Sequence, residues 1–420
     1  MLGSLQKAVK VGDLRQKLLF TLFMFLVFRI GAHIPVPGID PDAVQKFLSG
    51  QLFNFFDIIS GGAFKRFSIF AMSITPYINA SIIMSLLTVV IPKLERLQKE
   101  GEEGRKVIAQ YTRYGTVILA FIQAMGMAIA LGRTGAVAHN NFFMYLFIAI
   151  CLTAGTALLM WIGEMITEKG IGNGISLLIF AGIVSRIPSQ ISGVRQELAG
   201  GIIGFFNIFL FILLALAIIV AIIAVNEGQR RIPVQYAKRV VGRKLYGGQS
   251  TFLPLKVNTA GVIPIIFALS LLMFPATIGS WIPESGFNTF MNTYFHQGSA
   301  LYNLLYALLI VFFTFFYVSI IFNPADVAEN VKKYGGFVPG IRPGRPTAEY
   351  IDRVLTRLTL AGGVFLALIA VLPNFIVYAT HVTSLAFGGT SLLIMVGVAL
   401  DTMKQVESNL LLRSYEGFVK

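Results

Sequence analysis

The chain has 420 residues, of which 55% are hydrophobic and 13% are charged, and its formal net charge is +14. Soluble domains carry about 25% charged residues, so this composition excludes both an ordinary water-soluble enzyme and an intrinsically disordered chain. The single cysteine, Cys151, excludes an internal disulfide framework and a cysteine-based zinc site.

Windows without Lys, Arg, Asp or Glu predict the membrane spans, because a spanning helix needs about 20 apolar residues. Ten windows qualify, and only the first contains a charge, Arg29. They cover residues 18–34, 67–92, 115–132, 142–163, 170–185, 202–226, 257–283, 300–325, 358–380 and 382–400. We therefore expect ten transmembrane helices, with nine or eleven as alternatives.

Before the second window, residues 52–64 form an apolar stretch that is too short to cross a membrane and ends in a glycine pair. This stretch predicts a short helix at the outer face. Its spacing fits an interfacial anchor and a re-entrant stopper equally well.

The ten windows divide into two sets of five, which predicts an inverted repeat because an odd number of spans reverses the direction of entry. The second window of each set contains a proline, Pro76 or Pro264, which is expected to kink its helix. The fifth window of each set opens with a glycine-rich turn, at 170–176 and 387–391. Matching features in both sets favour a central pathway.

The Lys and Arg residues predict the orientation of the two halves, 1–190 and 191–420, because cytosolic loops are enriched in positive charge. If both termini lie on one side, 27 of the 34 Lys and Arg residues lie there too, so that side is predicted to be the cytosol. Two of its loops, about 227–256 and 323–357, interleave Arg with aromatic, Pro and Gly residues. This pattern predicts docking of ribosomal RNA or acidic protein, although ordinary positive-inside charge explains most individual lysines.

The motifs of enzymes and pumps are missing from the sequence. It contains no Gly-x-x-x-x-Gly-Lys loop and no His-Glu-x-x-His motif, so we expect no ATP hydrolysis, no metal and no cofactor. Coupled transporters place ionisable groups at mid-membrane depth, whereas these windows offer mainly Asn79, Gln123 and Asn258. Asp401 has no obvious second carboxylate, which an intramembrane aspartyl protease requires. A passive channel is favoured, and a secondary transporter with a five-plus-five repeat is the alternative.

Seven strings, in order along almost the whole chain, resemble the SecY family, the channel-forming subunits of the Sec translocon. Each string is short, but the ordered combination is specific. They are GGA at 61–63, ITPYI at 74–78, GIGNGIS at 170–176, GQRR at 228–231, LPLKVN at 253–258, FVPGIRPG at 337–344 and GGTSLLI at 388–394.

The resemblance implies an all-α integral membrane protein with about ten transmembrane helices in two inverted five-helix halves around a central pore. It implies an apolar constriction ring at Ile74, Ile78, Ile179, Ile183, Ile266 and Ile394. It implies a lateral gate with a polar cluster at Asn79, Gln123 and Asn258, and a plug at 52–64 that includes Phe55, Phe56, Ile58, Ile59, Gly61 and Gly62. From spacing alone, Ile74 with Ile78 and Ile179 with Ile183 each share one helix face.

The resemblance also implies a function: a protein-conducting channel of the cytoplasmic membrane, with both termini in the cytosol. Secretory proteins would cross it, and signal sequences and membrane segments would leave sideways into the membrane lipid. The implied partners are SecE and SecG in the membrane, and the SecA ATPase or a translating ribosome, besides the translocating polypeptides themselves. The implied docking residues are Arg230, Arg231, Lys238, Arg239, Arg243, Lys244, Arg342 and Arg345.

Overall fold

The computed structural model describes most of the chain as a helical bundle with a small β-sheet at one end. The described residues are 11–40, 44, 60–133, 135–137, 140–201, 203–236, 239–241, 244–246, 250–281, 299–380 and 389–419. The helices are α1 (Gly12–Gly31), α2 (Thr75–Val90), α3 (Pro92–Lys99), α4 (Glu102–Arg133), α5 (Phe142–Lys169), α6 (Gly174–Ser185), α7 (Ile187–Ala199), α8 (Phe205–Glu227), α9 (Ile263–Trp281), α10 (Ala300–Ile321), α11 (Pro324–Lys333), α12 (Arg345–Thr380) and α13 (Gly389–Val419). The strands are β1 (Gln229–Tyr236), β2 (Arg239–Val241), β3 (Lys244–Tyr246), β4 (Ser250–Lys256) and β5 (Gly336–Phe337).

Ten of these helices correspond one for one to the ten predicted windows, namely α1, α2, α4, α5, α6, α8, α9, α10, α12 and α13. Length and composition alone identify six membrane-spanning helices among the described residues, or seven with α2 and α3, which meet at a bend of 100°. The predicted helical membrane fold is confirmed. The division at residue 190, which falls inside α7, stays a prediction.

The two matching prolines begin helices instead of kinking them, so that part of the prediction is wrong. Pro76 lies in the first turn of α2 and Pro264 in the first turn of α9. At that position the missing amide of proline would have had no helical partner anyway. The stretches before them, 60–74 and 257–262, are mostly turns, so the second and seventh windows are each only partly helical.

Small residues allow the helices around the bundle centre to approach closely, as is usual in membrane proteins. A Cβ atom on Gly155 of α5 would overlap the carbonyl oxygen of Ile69, and one on Gly174 of α6 would overlap that of Gly163. These glycines let the backbone of 60–74 lie directly against α5, and the start of α6 lie against the end of α5.

The first basic loop forms a β-sheet, which the sequence analysis did not predict. Strand β1 pairs antiparallel with β4, from Gln229 opposite Lys256 to Gln235 opposite Ser250, and also with β5. The order is therefore β4-β1-β5. Ile232 and Leu255 of the sheet are buried with Val338 and Ile351 from the second basic loop and α12. The two predicted docking loops are thus parts of one packed unit, and we call its side of the bundle the sheet end.

Two seams join the elements before residue 190 to those after it in the described part of the chain. At one seam α6 packs against α13, and at the other α9 packs against α2 and α4. A large apolar cluster fills the later half, from Ile203 to Leu393, and a smaller one lies within the earlier half. A third cluster lies between them and includes residues of both halves.

Two glycine substitutions test the close packing at 60–74. Gly155→Ala should destabilise the protein by about 1–3 kcal/mol, because the added methyl group meets a backbone carbonyl that cannot rotate away. Gly115→Ala is the matched control: its Cβ would lie 3.7 Å from Cβ of Ala80, an ordinary contact, and alanine favours a helix by about 1 kcal/mol over glycine. Thermal unfolding in detergent measures both, and equal effects would contradict the close approach.

Candidate pore and gate

The six predicted isoleucines meet in a single apolar cluster, although they come from four separate helical regions. Ile74 caps α2 and Ile78 lies in its first turn; the others come from α6, α9 and α13. Five of the six are buried, and Ile266 is half-buried against them. The long-range convergence of these side chains is what a constriction ring requires.

Local hydrogen bonds fix the position of α6, which carries Ile179 and Ile183. Asn173 is its N-cap and accepts a hydrogen bond from the Ser176 amide at 3.2 Å. The amide of Gly174 donates to Oγ1 of Thr167 in the preceding helix at 2.9 Å. The first turn of α6 therefore has partners for its otherwise unpaired amides, and its direction is set by α5.

A cavity of about 280 Å³ leads from the sheet end to this cluster. Three of the isoleucines, Ile179, Ile266 and Ile394, line its apolar part. The polar part is lined by Asn173, Ser176, Asn226, Lys256, Asn258, Asp401, Thr402 and Lys404. The cavity thus joins a polar vestibule near the sheet end to the apolar isoleucine cluster.

Of the three amides in the predicted gate cluster, Asn258 has an unexpected partner. Its Nδ2 donates to Oδ1 of Asn226, at the end of α8, at 2.8 Å. Asn258 is buried, and its Oδ1 has no hydrogen-bond partner. Asn79 of α2 and Gln123 of α4 are half-buried on the helices that face α9. No hydrogen bond among the described side chains links them to Asn258.

Gly61, from the glycine pair of the predicted plug, lies against α6 and α1. Both Gly61 and Gly62 have a positive φ, +66° and +84°, a conformation that favours glycine. The carbonyl of Gly61 accepts a hydrogen bond from Nη1 of Arg29 at 2.9 Å. This explains the one charged residue in the first window, which the sequence analysis left without a role. Phe55, Phe56, Ile58 and Ile59 lie outside the described residues.

The predicted docking arginines that the structure describes are exposed at the sheet end. Arg230 and Arg231 project from β1, and the Arg231 guanidinium lies 5.5 Å from the centre of the Phe252 ring. Arg342 is exposed while its carbonyl accepts a hydrogen bond from Thr347 at 2.8 Å, and Arg345 pairs with Glu349 at 3.3 Å. Lys238 and Arg243 lie outside the described residues, as do the side chains of Arg239 and Lys244.

Substitution of Asn226 and substitution of Asn258 should destabilise the protein to different extents. Asn226→Ala should destabilise the protein by about 1–3 kcal/mol, because it leaves the buried Asn258 amide without a partner. Asn258→Leu should cost less, since it also removes the unpaired Oδ1. The double variant should unfold at about the same temperature as Asn258→Leu alone. Thermal unfolding measures all three, and a larger effect of Asn258→Leu would contradict this assignment.

Comparison with known proteins identifies the family. The SecY family model matches residues 68–403. The protein translocase subunit SecY of Halalkalibacterium halodurans is 52% identical, over 100% of both chains. A solved structure described as that of a protein conducting channel covers 94% of this chain and 92% of its own, with a TM-score of 0.68 and 20% identity. Sec61 in the canine ribosome-channel complex has a TM-score of 0.65 at 19% identity, over 94% of this chain and 92% of its own.

The chain belongs to the SecY family. The resemblance seen in the seven strings is therefore confirmed, and the channel interpretation is favoured over the secondary transporter. The protein is a multi-pass membrane protein.

Proposed function

We propose that this member of the SecY family is a passive protein-conducting channel, through which secretory proteins cross the cytoplasmic membrane and membrane proteins enter it. The convergence of six isoleucines from α2, α6, α9 and α13, three of which line a polar cavity, carries this proposal. A polar vestibule above an apolar constriction can hold a polypeptide and still resist ions.

The isoleucines would form the seal. A narrow apolar constriction tends to lose its water and so blocks ions without any fixed charge. Isoleucine is suited to this role because its branched Cβ restricts χ1, which keeps the rim of the constriction defined. A passing polypeptide would push the ring apart, and the same apolar contacts would close it afterwards.

The seam between α9 and the pair α2 and α4 would be the lateral gate. It lies between the proposed halves 1–190 and 191–420, and it is separate from the contact of α6 with α13. Asn79, Gln123 and Asn258 would be its polar residues, and segment 52–64, hinged at Gly61 and Gly62, its plug. Separation of this seam would let apolar segments leave sideways into lipid.

The sheet end would face the cytosol together with both termini. It carries the exposed arginines of both basic loops, and the packed core at Ile232 and Val338 makes these loops one surface. SecA or a translating ribosome would dock there, and SecE and SecG would pack against the bundle in the membrane. The energy would come from these partners, since the chain carries no phosphate-binding loop of its own.

Three substitutions in the ring test the seal. Replacing Ile78, Ile183 and Ile394 together by Asn should wet the constriction and produce ion leak through the resting channel, because an amide binds water where isoleucine excludes it. Discrimination among signal sequences should also relax. Single-channel recordings in a planar bilayer measure the leak, and precursor translocation measures the discrimination.

The matched control replaces Ile118, Ile150 and Ile212 by Asn. These isoleucines are exposed on the bundle surface, so this variant should show no ion leak. If the ring variant also shows no ion leak, residues 54–62 are deleted in the same background. Absence of leak after the deletion would refute the ring assignment, whereas leak would indicate that the plug carries the seal.

Charge reversal tests the docking surface. Arg342→Glu should reduce SecA-driven translocation while membrane insertion and folding stay normal, because it changes the local charge by two units at an exposed site that would face an acidic partner. Arg195→Glu, at an exposed arginine of α7 outside both basic loops, is the control. Precursor import into inverted membrane vesicles measures both. Equal activities would exclude a docking role for Arg342.

A further inference from the structure

Arg29, the one charged residue of the first window, contacts the glycine pair of the proposed plug. Its Nη1 donates a hydrogen bond to the carbonyl oxygen of Gly61 at 2.9 Å, across 32 residues of sequence. Arg66 approaches the same oxygen at 3.4 Å, beyond the usual upper limit of about 3.2 Å for such a bond. Among the described side chains, no carboxylate forms an ion pair with either guanidinium. Arg29 therefore makes its charged hydrogen bond to a backbone group.

The position of Arg29 explains why its acceptor comes from another part of the chain. Arg29 is half-buried in the last turn of α1, where the partial negative charge of the helix end favours a cation. The neighbouring carbonyls of Phe28 and Ile30 already accept from the turn that follows α1, at 3.0 and 2.9 Å. A buried charge still needs a hydrogen-bond partner, and the Gly61 carbonyl supplies it.

The chain is firmly packed after the glycine pair. The amide of Ser68 donates to the carbonyl of Ala63 at 2.9 Å, and Ala63 and Phe67 are buried. Gly61 itself touches α6 only through small groups, since a Cβ atom on it would lie 3.2 Å from Cα of Gly182. The segment from Ala63 onwards is thus a fixed base, and the bond from Arg29 acts at its edge.

We propose that Arg29 is a positioning residue that holds the plug in its resting place through the Gly61 carbonyl. Gly182, against which Gly61 lies, directly precedes Ile183 of the proposed ring. The bond from Arg29 therefore keeps the hinge of the plug beside the ring, and its release lets the hinge turn away. This inference rests on the proposed channel function and adds to it the residue that sets how easily the plug leaves.

The first test removes the donor. Arg29→Met should raise resting ion leak about tenfold or more, the change expected for the loss of a hydrogen bond to a charged group. Arg29→Lys keeps the charge but loses the guanidinium fork, and should leak less than Arg29→Met. Arg66→Met should raise the leak by less than about threefold, because the longer contact is weak. Arg15→Met, at an exposed arginine of the same helix, should leave it unchanged.

Planar-bilayer recordings of the purified channel, with its natural membrane partners, measure the leak of all four variants. Equal leak in the Met variants at positions 29 and 66, or in those at 29 and 15, would overturn the positioning role.

The second test asks whether Arg29 acts through the plug. Deletion of residues 54–62 removes the Gly61 acceptor, so in that background Arg29→Met should change the leak by less than about twofold, as expected for two changes in one interaction. A residue that only stabilises the fold would have the same effect in both backgrounds. The same fold-increase with and without residues 54–62 would therefore refute the proposal.

Translocation supplies a readout of opposite sign for the two explanations. A precursor with a weakened signal sequence should cross Arg29→Met faster than wild type, because the plug leaves more easily, whereas a merely destabilised channel would transport less. Slower transport would count against the proposal. The wild-type channel separates this from failure of the proposed function: if it translocates no precursor, the channel assignment fails. If it translocates but deletion of 54–62 causes no leak, there is no seal for Arg29 to hold, and the positioning role fails alone.

Discussion

A backbone amide or carbonyl inside a membrane has to find its partner within the protein, and this constraint decides where the chain can leave a helix. Three turn segments among the described residues illustrate this constraint: 60–74, 170–173 and 257–262. Each is paired over long range. The amide of Ile69 donates to the Ile34 carbonyl at 3.0 Å, and that of Val257 donates to Gly228 at 2.9 Å. Gly172 reaches Gln405. The three segments also carry or adjoin residues of the proposed plug, ring helix and gate, which are the glycine pair, the start of α6 and Asn258.

The same constraint explains why glycine is frequent at these points. An irregular segment can be packed between helices only if its backbone approaches theirs, and Gly155 and Gly174 allow that approach where any side chain would overlap a carbonyl. Gly61 and Gly172 adopt positive φ angles that turn a carbonyl toward Arg29 and an amide toward Gln405. Glycine at these positions therefore permits both the backbone hydrogen bonds of the turn segments and their close packing against the helices.

The sequence predicted what depends on local composition and could not predict what depends on long-range pairing. The ten spans follow from hydrophobic length, which is a local property. The prolines were located correctly but interpreted wrongly, because proline is compatible with a kink and with a first turn, and only the long-range pairing of 60–74 and 257–262 decides between them. The sheet was missed although Ile232 and Val234 alternate with exposed residues, a pattern typical of a strand; the intervening Pro233 and the many charges obscured it. Asn226 was missed because its link to Asn258 spans 32 residues.

The lining of the cavity changes from polar to apolar over a short distance, and this change fits a proposed ring made of isoleucines. The vestibule has Lys256, Asp401 and Lys404 in its wall, so it can hold water and a charged polypeptide. A seal directly below such a vestibule cannot rely on charge, because ions and their counterions already enter it. Side chains that offer water no hydrogen bond are the remaining option, and they have to come from several helices so that a small movement between helices opens the path. Isoleucines contributed by α2, α6, α9 and α13 satisfy both conditions, which is why the proposed seal is apolar and drawn from several helices.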